Sequence, residues 1–414
     1  MLMSLTRPSP EFVPSTTLHE AILASSSSVR DSLPEQHRAH FETLRQEIID
    51  FAKAHDISRE SLTKPDALRE AAEHLSIPDL ERLATLLERF EYLLKNGEPM
   101  REKLSEAREY AEEFYHLREQ YDSQVALLEQ VGVLKDGAII GIDGNTYSIP
   151  TLEQIADRLF ERRETLETKH EQGFTKLLLV PFGMSLDSLR EIFEQFLFAH
   201  TKDTKYFGSY PLWISSAYPR ADVGDFFSEL IYHPKSFDKN NHQGKTKIQI
   251  LKKQQDNPDS SFPGWVVHLF QPSDPSNPDS PGFAPISRKS QGTTQGEETP
   301  RPHLEAGKTA EDYFSILQKA QDNRNSPYHG ETGLTPEDGL MAFMTHFTET
   351  RKPLDDAFNN QRTEVGCYLT GAFFLSDAHV PCMLYDCDDG RVRLGGNGPS
   401  NFVGYYGLRS SIIV

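Results

Sequence analysis

Residues Tyr385 to Val414 read YDCDDGRVRLGGNGPSNFVGYYGLRSSIIV, and this stretch decides how the chain is read. Arg391-Val392-Arg393-Leu394 and Tyr406-Gly407-Leu408-Arg409-Ser410-Ser411-Ile412-Ile413-Val414 are short strand patterns. Around and between them, Gly395-Gly396-Asn397-Gly398, Ser400-Asn401 and Tyr405-Tyr406 are rich in Gly, Asn, Ser and Tyr. Lys, Glu, Gln, Met and Trp are all absent from these residues, although together they make up about a fifth of an ordinary chain. Upstream, Gly366–Thr370 and Pro381–Tyr385 are further strand candidates, and two helices precede them, Ala310–Gln321 and one that starts at Thr335-Pro336-Glu337-Asp338. This spacing predicts two helices followed by a small, irregular antiparallel sheet.

Moving towards the N-terminus, residues 271–308 are dense in Pro, Ser, Gly and Thr and lack periodicity, so they read as a linker. Residues 134–270 read as a mixed α/β domain. Gly137–Ile142, Asp143-Gly144 and Asn145–Ile149 form a hairpin pattern with a type I′ turn. Thr151-Leu152-Glu153-Gln154 caps a helix reaching about His170. Lys176–Val180, Leu212–Ile214 and Trp265–Phe270 are strand candidates, and Ser185 opens an amphipathic helix.

Residues 31–133 are helical in pattern. Ser32-Leu33-Pro34-Glu35 and Ser76-Ile77-Pro78-Asp79 are helix starts. The stripe Leu80, Leu83, Leu87, Phe90, Leu94 ends at Asn96-Gly97-Glu98-Pro99. Leu104, Ala107, Ala111, Phe114, Arg118, Tyr121, Val125 and Leu128 then form a heptad seam. That seam fits an oligomerising coiled coil and hence a homo-oligomer. It also fits an antiparallel hairpin with Leu80–Leu94, which the short Gly-Pro connection favours. Residues 1–30 read as a polar tail. The expected class is therefore α+β and multidomain.

Composition bounds the function. The chain has 414 residues and a net charge of −19, from 43 Lys and Arg against 62 Asp and Glu. Such a balance argues against nucleic-acid binding, which needs clustered cations to displace counterions. No apolar run approaches the roughly 20 residues of a membrane helix. The first residues lack a signal-peptide pattern, and three Cys do not make a disulfide framework. A cytoplasmic, bacterial-type protein is the expectation. No zinc spacing, P-loop or nucleophile-elbow motif is present. Asp386-x-Asp388-x-Gly390 resembles half of a calcium loop, but Asn397 stands where the closing Glu belongs. Cys382 and Cys387, with four residues between them, fit two thiolates that share copper(I) or cycle through a disulfide, and equally fit one buried and one exposed thiol.

The last quarter of the chain resembles the C-type-lectin fold, in the branch shared by formylglycine-generating enzymes and the variable proteins of diversity-generating retroelements. The resemblance rests on the paired helices, Arg391-Val392-Arg393, the loop Gly395–Asn401 and the ending Gly407-Leu408-Arg409, which is similar to the Gly-Phe-Arg strand that closes many members. It implies a C-terminal lectin-like domain over residues 309–414. Cys382 and Cys387 stand where the enzymes carry their reactive pair, and the alternative reading is a copper-dependent oxidase of that type. The chain, however, lacks the tryptophan-rich blocks of those enzymes, and both its Trp residues, Trp213 and Trp265, lie outside this domain. The retroelement branch implies targeted randomisation at adenines, so that Asn codons yield Asn, Asp, Tyr, Ser, Gly, Cys, His and several others but never Lys, Glu, Gln, Met or Trp. The depletion noted above fits that rule. The expectation is thus a non-enzymatic protein without cofactor or metal. Tyr385, Asp386, Asp388, Asp389, Asn397, Ser400, Asn401, Tyr405 and Tyr406 would form its binding face for a protein or small molecule. A third reading is a structural helical protein capped by its tail.

Overall fold

A computed structural model describes residues 33, 35–55, 57–58, 75–96, 102–202, 204–214, 230–256, 262–355 and 365–414. The expected tail 1–30 and the start at Ser32 lie outside these residues. The fold is mixed α+β with several small sheets. The chain forms two compact units, Met1–Ser105 and Glu106–Val414. None of the described helices is long and apolar enough to cross a membrane.

In the first unit α1 (Glu35–Ala54) packs on α2 (Ile77–Asn96). Their stripes bury Phe41, Leu44, Ile48, Leu83, Leu87 and Phe90, and the Phe41 and Phe90 rings lie 5.1 Å apart. Ser76 caps α2 as expected, its hydroxyl accepting from the Asp79 amide at 3.3 Å.

The heptad seam is not one helix. It is split into α3 (Glu102–Tyr115) and α4 (Leu117–Gln130) by His116, whose φ of 47° is left-handed. The stripe of α4 is covered by the second unit's own strand β3 (Lys176–Val180), where the Leu177 amide donates to Gln120 Oε1 at 2.7 Å. The stripe of α4 is thus buried within the second unit. Edge exposure of Phe114 follows from the same break.

The second unit begins with the predicted hairpin, β1 (Ala138–Ile140) and β2 (Thr146–Ser148), paired Ile139 to Tyr147. Its connection is the five-residue loop 141–145, not a two-residue turn, because the Gly141 amide closes on the Asn145 carbonyl at 2.8 Å. Thr151 caps α5 (Leu152–Glu161) with the expected box, and a separate α6 (Arg163–Glu171) follows. Next come α7 (Leu186–Ala199), β4 (Leu212–Ile214), β5 (Leu230–Tyr232), α8 (Lys247–Asp256) and β6 (Val266–Phe270). The remaining elements are β7 (Thr294–Gln295), β8 (Arg301–Pro302), α9 (Ala310–Gln321), β9 (Glu331–Gly333), α10 (Pro336–Thr350), β10 (Gly366–Tyr368), β11 (Ala372–Phe374), β12 (Val380–Asp386), β13 (Arg391–Asn397), β14 (Tyr406–Gly407) and β15 (Ser410–Ile413).

The expected separation of a middle domain from a C-terminal one gives way to interleaving. One antiparallel sheet has the order β3-β6-β15-β9 and a second has the order β14-β10-β12-β13-β4, so each mixes strands from both regions. A single large core runs from Ala111 to Ile412. The segment expected as a linker, 271–308, is built into this unit. It buries Phe283, Ile286, Leu304 and Ala306, and it docks on α10 where the Phe283 amide donates to His346 Nδ1 at 3.0 Å and the Gly282 amide to Glu349 Oε2 at 2.6 Å. Gly282 sits at φ +75°, and a Cβ there would meet His346 Nδ1 at 2.5 Å, so only glycine lets the segment approach. Pro and Ser richness marked extended backbone with local turns, which a neighbouring helix can pin as firmly as a strand.

Candidate functional site

The β12–β13 hairpin is the frame of the predicted binding residues. Seven residue pairs hold its register, from Val380 opposite Asn397 to Asp386 opposite Arg391. Alternation sets the faces: Met383, Tyr385, Val392 and Leu394 point into the large core, whereas Cys382 and Leu384 point to a smaller core under α9.

At the hairpin tip the Asp386 carboxylate accepts from the amides of Asp388 (3.0 Å) and Asp389 (3.3 Å), closing a turn on itself. Arg393 Nη2 pairs with Asp386 and with Asp389, the latter at 2.6 Å, and its guanidinium stands 5.6 Å from the Trp213 ring on β4. Gly390 completes the tip at φ +63°, where a Cβ would meet Gly208 N and Tyr206 O at 2.8 Å. At this end Asp388 and Asp389 are exposed, together with Tyr210 and Trp213, which are 71% and 43% exposed. The Asp386 carboxylate is engaged by the turn and by Arg393 rather than held open with other carboxylates for a calcium ion.

At the far end of β13, residues 398–405 form a loop that is fastened at several points. Pro399 O accepts from the Glu311 amide at 3.0 Å, Asn401 N donates to Gly398 O at 3.0 Å, and Tyr406 N donates to Val403 O at 3.0 Å. Between these ties Ser400, Asn401, Phe402 and Tyr405 are exposed, with Phe402 at 67% and Tyr405 at 43%. Asn397 is half-buried, and the Tyr368 hydroxyl donates to the Asn401 carbonyl at 3.4 Å.

The nine expected binding residues therefore do not form one face. Three belong to the interior: Tyr385, whose hydroxyl donates to the Tyr206 carbonyl; Asp386; and Tyr406, whose ring lies 4.8 Å from that of Tyr368. Asp388 and Asp389 stand at one end of β13. Ser400, Asn401 and Tyr405 stand at the other, six strand steps or about 20 Å away. Comparison with family models, curated proteins and solved structures finds no match for this chain. Its chemistry is accordingly read from its own geometry.

The cysteine pair fails that test. Cys382 and Asp386 lie four extended residues apart on β12, about 13 Å at ~3.3 Å per residue, and Cys387 lies beyond the strand end. Two thiols so placed cannot form a disulfide, whose Cα atoms approach within about 7 Å, or ligate one copper ion. Burial pushes the Cys382 thiol up to about 11 and the Cys367 thiol up to about 12, so both are protonated and inert at neutral pH. Among the described residues no three His, Cys, Asp or Glu side chains converge as metal ligands.

Sequence reading missed Phe402, Tyr210, Trp213 and Arg393. Phe402 sits in the quoted loop and was legible as an exposed aromatic between Asn and Gly. Trp213 and Tyr210 were not, because only the parallel pairing of β4 on β13, Trp213 beside Arg393, brings them to this sheet.

Proposed function

We propose that the chain is a non-enzymatic ligand-binding protein of the lectin-like, retroelement-diversified kind, with loop 398–405 as its principal contact surface and the hairpin tip as a second. The observation that carries this reading is the exposure of Phe402 and Tyr405, flanked by Ser400 and Asn401, on a loop tied through its backbone to Glu311 of α9 at one end and to Gly366 of β10 at the other. Aromatic rings supply large rigid contact area at little entropic cost, and Ser and Asn adapt their hydrogen bonds. Fixed ends confine the cost of variation to side chains that contribute little to stability.

Residue types open to adenine-directed change also occur at Tyr385, Asp386, Tyr406, Ser410 and Ser411, all buried. The reading therefore predicts which positions vary: Asp388, Asp389, Asn397, Ser400, Asn401, Phe402 and Tyr405 change, and the buried five do not. Sequencing the locus around the gene tests it. A near-copy of the DNA encoding about Tyr385–Val414, differing only at adenines of the exposed positions and lying beside a reverse-transcriptase gene, is the expected result. Absence of any such copy would remove diversification from the reading.

A further inference from the structure

The second unit contains a cavity of about 410 Å³ that none of the loop residues lines. Its walls come from the α5–α6 junction (Arg162), the segment after β5 (His233, Lys235), one side of α9 (Phe314, Leu317) and the Thr370-Gly371 turn before β11. The volume lies at the small end of the roughly 300–1,000 Å³ typical of small-molecule sites.

The charges on these walls do not balance. Arg162 is half-buried, and its guanidinium makes one hydrogen bond, to the Ile413 carbonyl. No carboxylate among the described residues pairs with it. Lys235, exposed, likewise has no ion partner among them. The one acidic residue in the wall, Glu331, is fully buried and its carboxylate is already engaged by Arg301 at 2.7 Å and Lys169 at 2.8 Å. A net-negative protein thus encloses a cavity whose available charge is positive. A partly desolvated cation without a counter-ion is costly, and an anion in the cavity would relieve that cost. Phe314, Leu317 and Pro234 give the same cavity apolar walls.

We propose that this cavity binds a small organic carboxylate with an apolar body, its carboxylate on Arg162 and its body against Phe314 and Leu317. A bidentate guanidinium–carboxylate pair uses the nitrogens that the Ile413 carbonyl leaves open. His233, at φ 48°, lines the wall as an exposed side chain whose ring nitrogens can hydrogen-bond a ligand.

Isothermal titration calorimetry of the full chain tests this with 3-phenylpropionate, its uncharged amide and inorganic phosphate. The carboxylate is expected to bind about tenfold or more tighter than the amide, the worth of a charge-assisted hydrogen bond. Arg162→Gln should remove that preference while leaving amide binding in place. Because Arg162 also holds Ile413, Lys235→Gln provides a second variant on an exposed side chain, expected to weaken carboxylate binding about two- to fivefold with an unchanged melting temperature. Equal binding of carboxylate and amide, no binding of either, or tighter binding of phosphate than of the carboxylate would each overturn the proposal. A carboxylate preference that survives both variants would overturn it as well.

Discussion

The loop 398–405 and the strand β15 are close in sequence and share small polar residues, yet their side chains have opposite fates. Ser400 and Asn401 face solvent, whereas Ser410 and Ser411 are buried. The serines of the strand insulate a charged interior. Ser410 Oγ donates to Glu331 at 2.6 Å, and Ser411 Oγ lies 2.9 Å from His268 Nδ1, whose Nε2 lies 3.0 Å from Asp338. Arg409, one residue earlier, forms a buried two-nitrogen pair with Asp355 at 2.7 and 2.9 Å. The difference teaches that a stretch rich in Ser, Asn and Tyr is neither scaffold nor contact surface by composition. Partners decide, and in β15 they are buried ions.

The sharpest way to break this comparison is to strip the interior of its central carboxylate. Glu331→Ala would leave Lys169, Arg301 and Ser410 facing an empty position. The expected loss is at the upper end of about 3–5 kcal/mol, as for removal of one partner from a buried ion cluster. Arg301 and Lys169 hold this carboxyl below the usual carboxylate range despite its burial, which marks the charged form as the one the fold is built around. Urea unfolding of the full chain reads the effect. A loss below about 1 kcal/mol would mean that water enters and solvates the cations, and the contrast with the loop would collapse.

The interior was also the part least visible in the sequence. Helix caps at Ser76, Thr151 and Thr335, and the β1–β2 hairpin, are local and were read directly, because each needs only three or four neighbouring residues. Glu331, Lys169 and Arg301 come from three distant segments, and nothing local marks Glu331 as wholly buried. The split at His116 was hidden for a related reason. The heptad spacing continues across it, and nothing local marks His116 as the left-handed residue between two helices. Tyr385 and Tyr406 were read as contact residues for their type, but strand alternation and the Tyr368 ring place both inside. Their neighbours Asp388 and Tyr405, one turn or one residue away, were placed on the surface correctly.

A smaller effect separates the two regions by pH. His346 accepts the Phe283 amide through Nδ1 and is therefore neutral. Burial, chiefly, and the nearby Arg409 guanidinium lower its pKa to about 4, against a weaker opposing pull from Asp355. An unfolded chain binds a proton at this residue below its ordinary value of about 6.5, and the folded chain does so only near 4. Stability thus falls as pH drops through the window from about 6.5 to 4, by about 1–3 kcal/mol in all. His346→Gln keeps an acceptor for Phe283 and has no proton to bind, so its unfolding free energy should vary less over that window. His303, also held low by burial, leaves a residual slope in both proteins. Identical pH profiles for the two would show that the contact of 282–283 with α10 carries no proton linkage.

The smallest expected effect lies in the loop, at two aromatic residues that elsewhere would be costly to lose. Truncating a buried Phe costs about 3–5 kcal/mol. Phe402 is mostly exposed, and the Tyr405 ring, itself exposed, has its centroid 5.2 Å from that of Tyr406. Phe402→Ala should therefore change stability by less than about 0.5 kcal/mol, and Tyr405→Ala by about 0.5–1 kcal/mol, the worth of one aromatic contact. The ties at Pro399, Asn401 and Val403 run through backbone atoms, so neither truncation releases the loop. The same scan that reads Glu331→Ala measures both. A Phe402→Ala loss approaching that of a core residue would mean that its ring is covered in solution, which would move loop 398–405 from the contact surface to the scaffold.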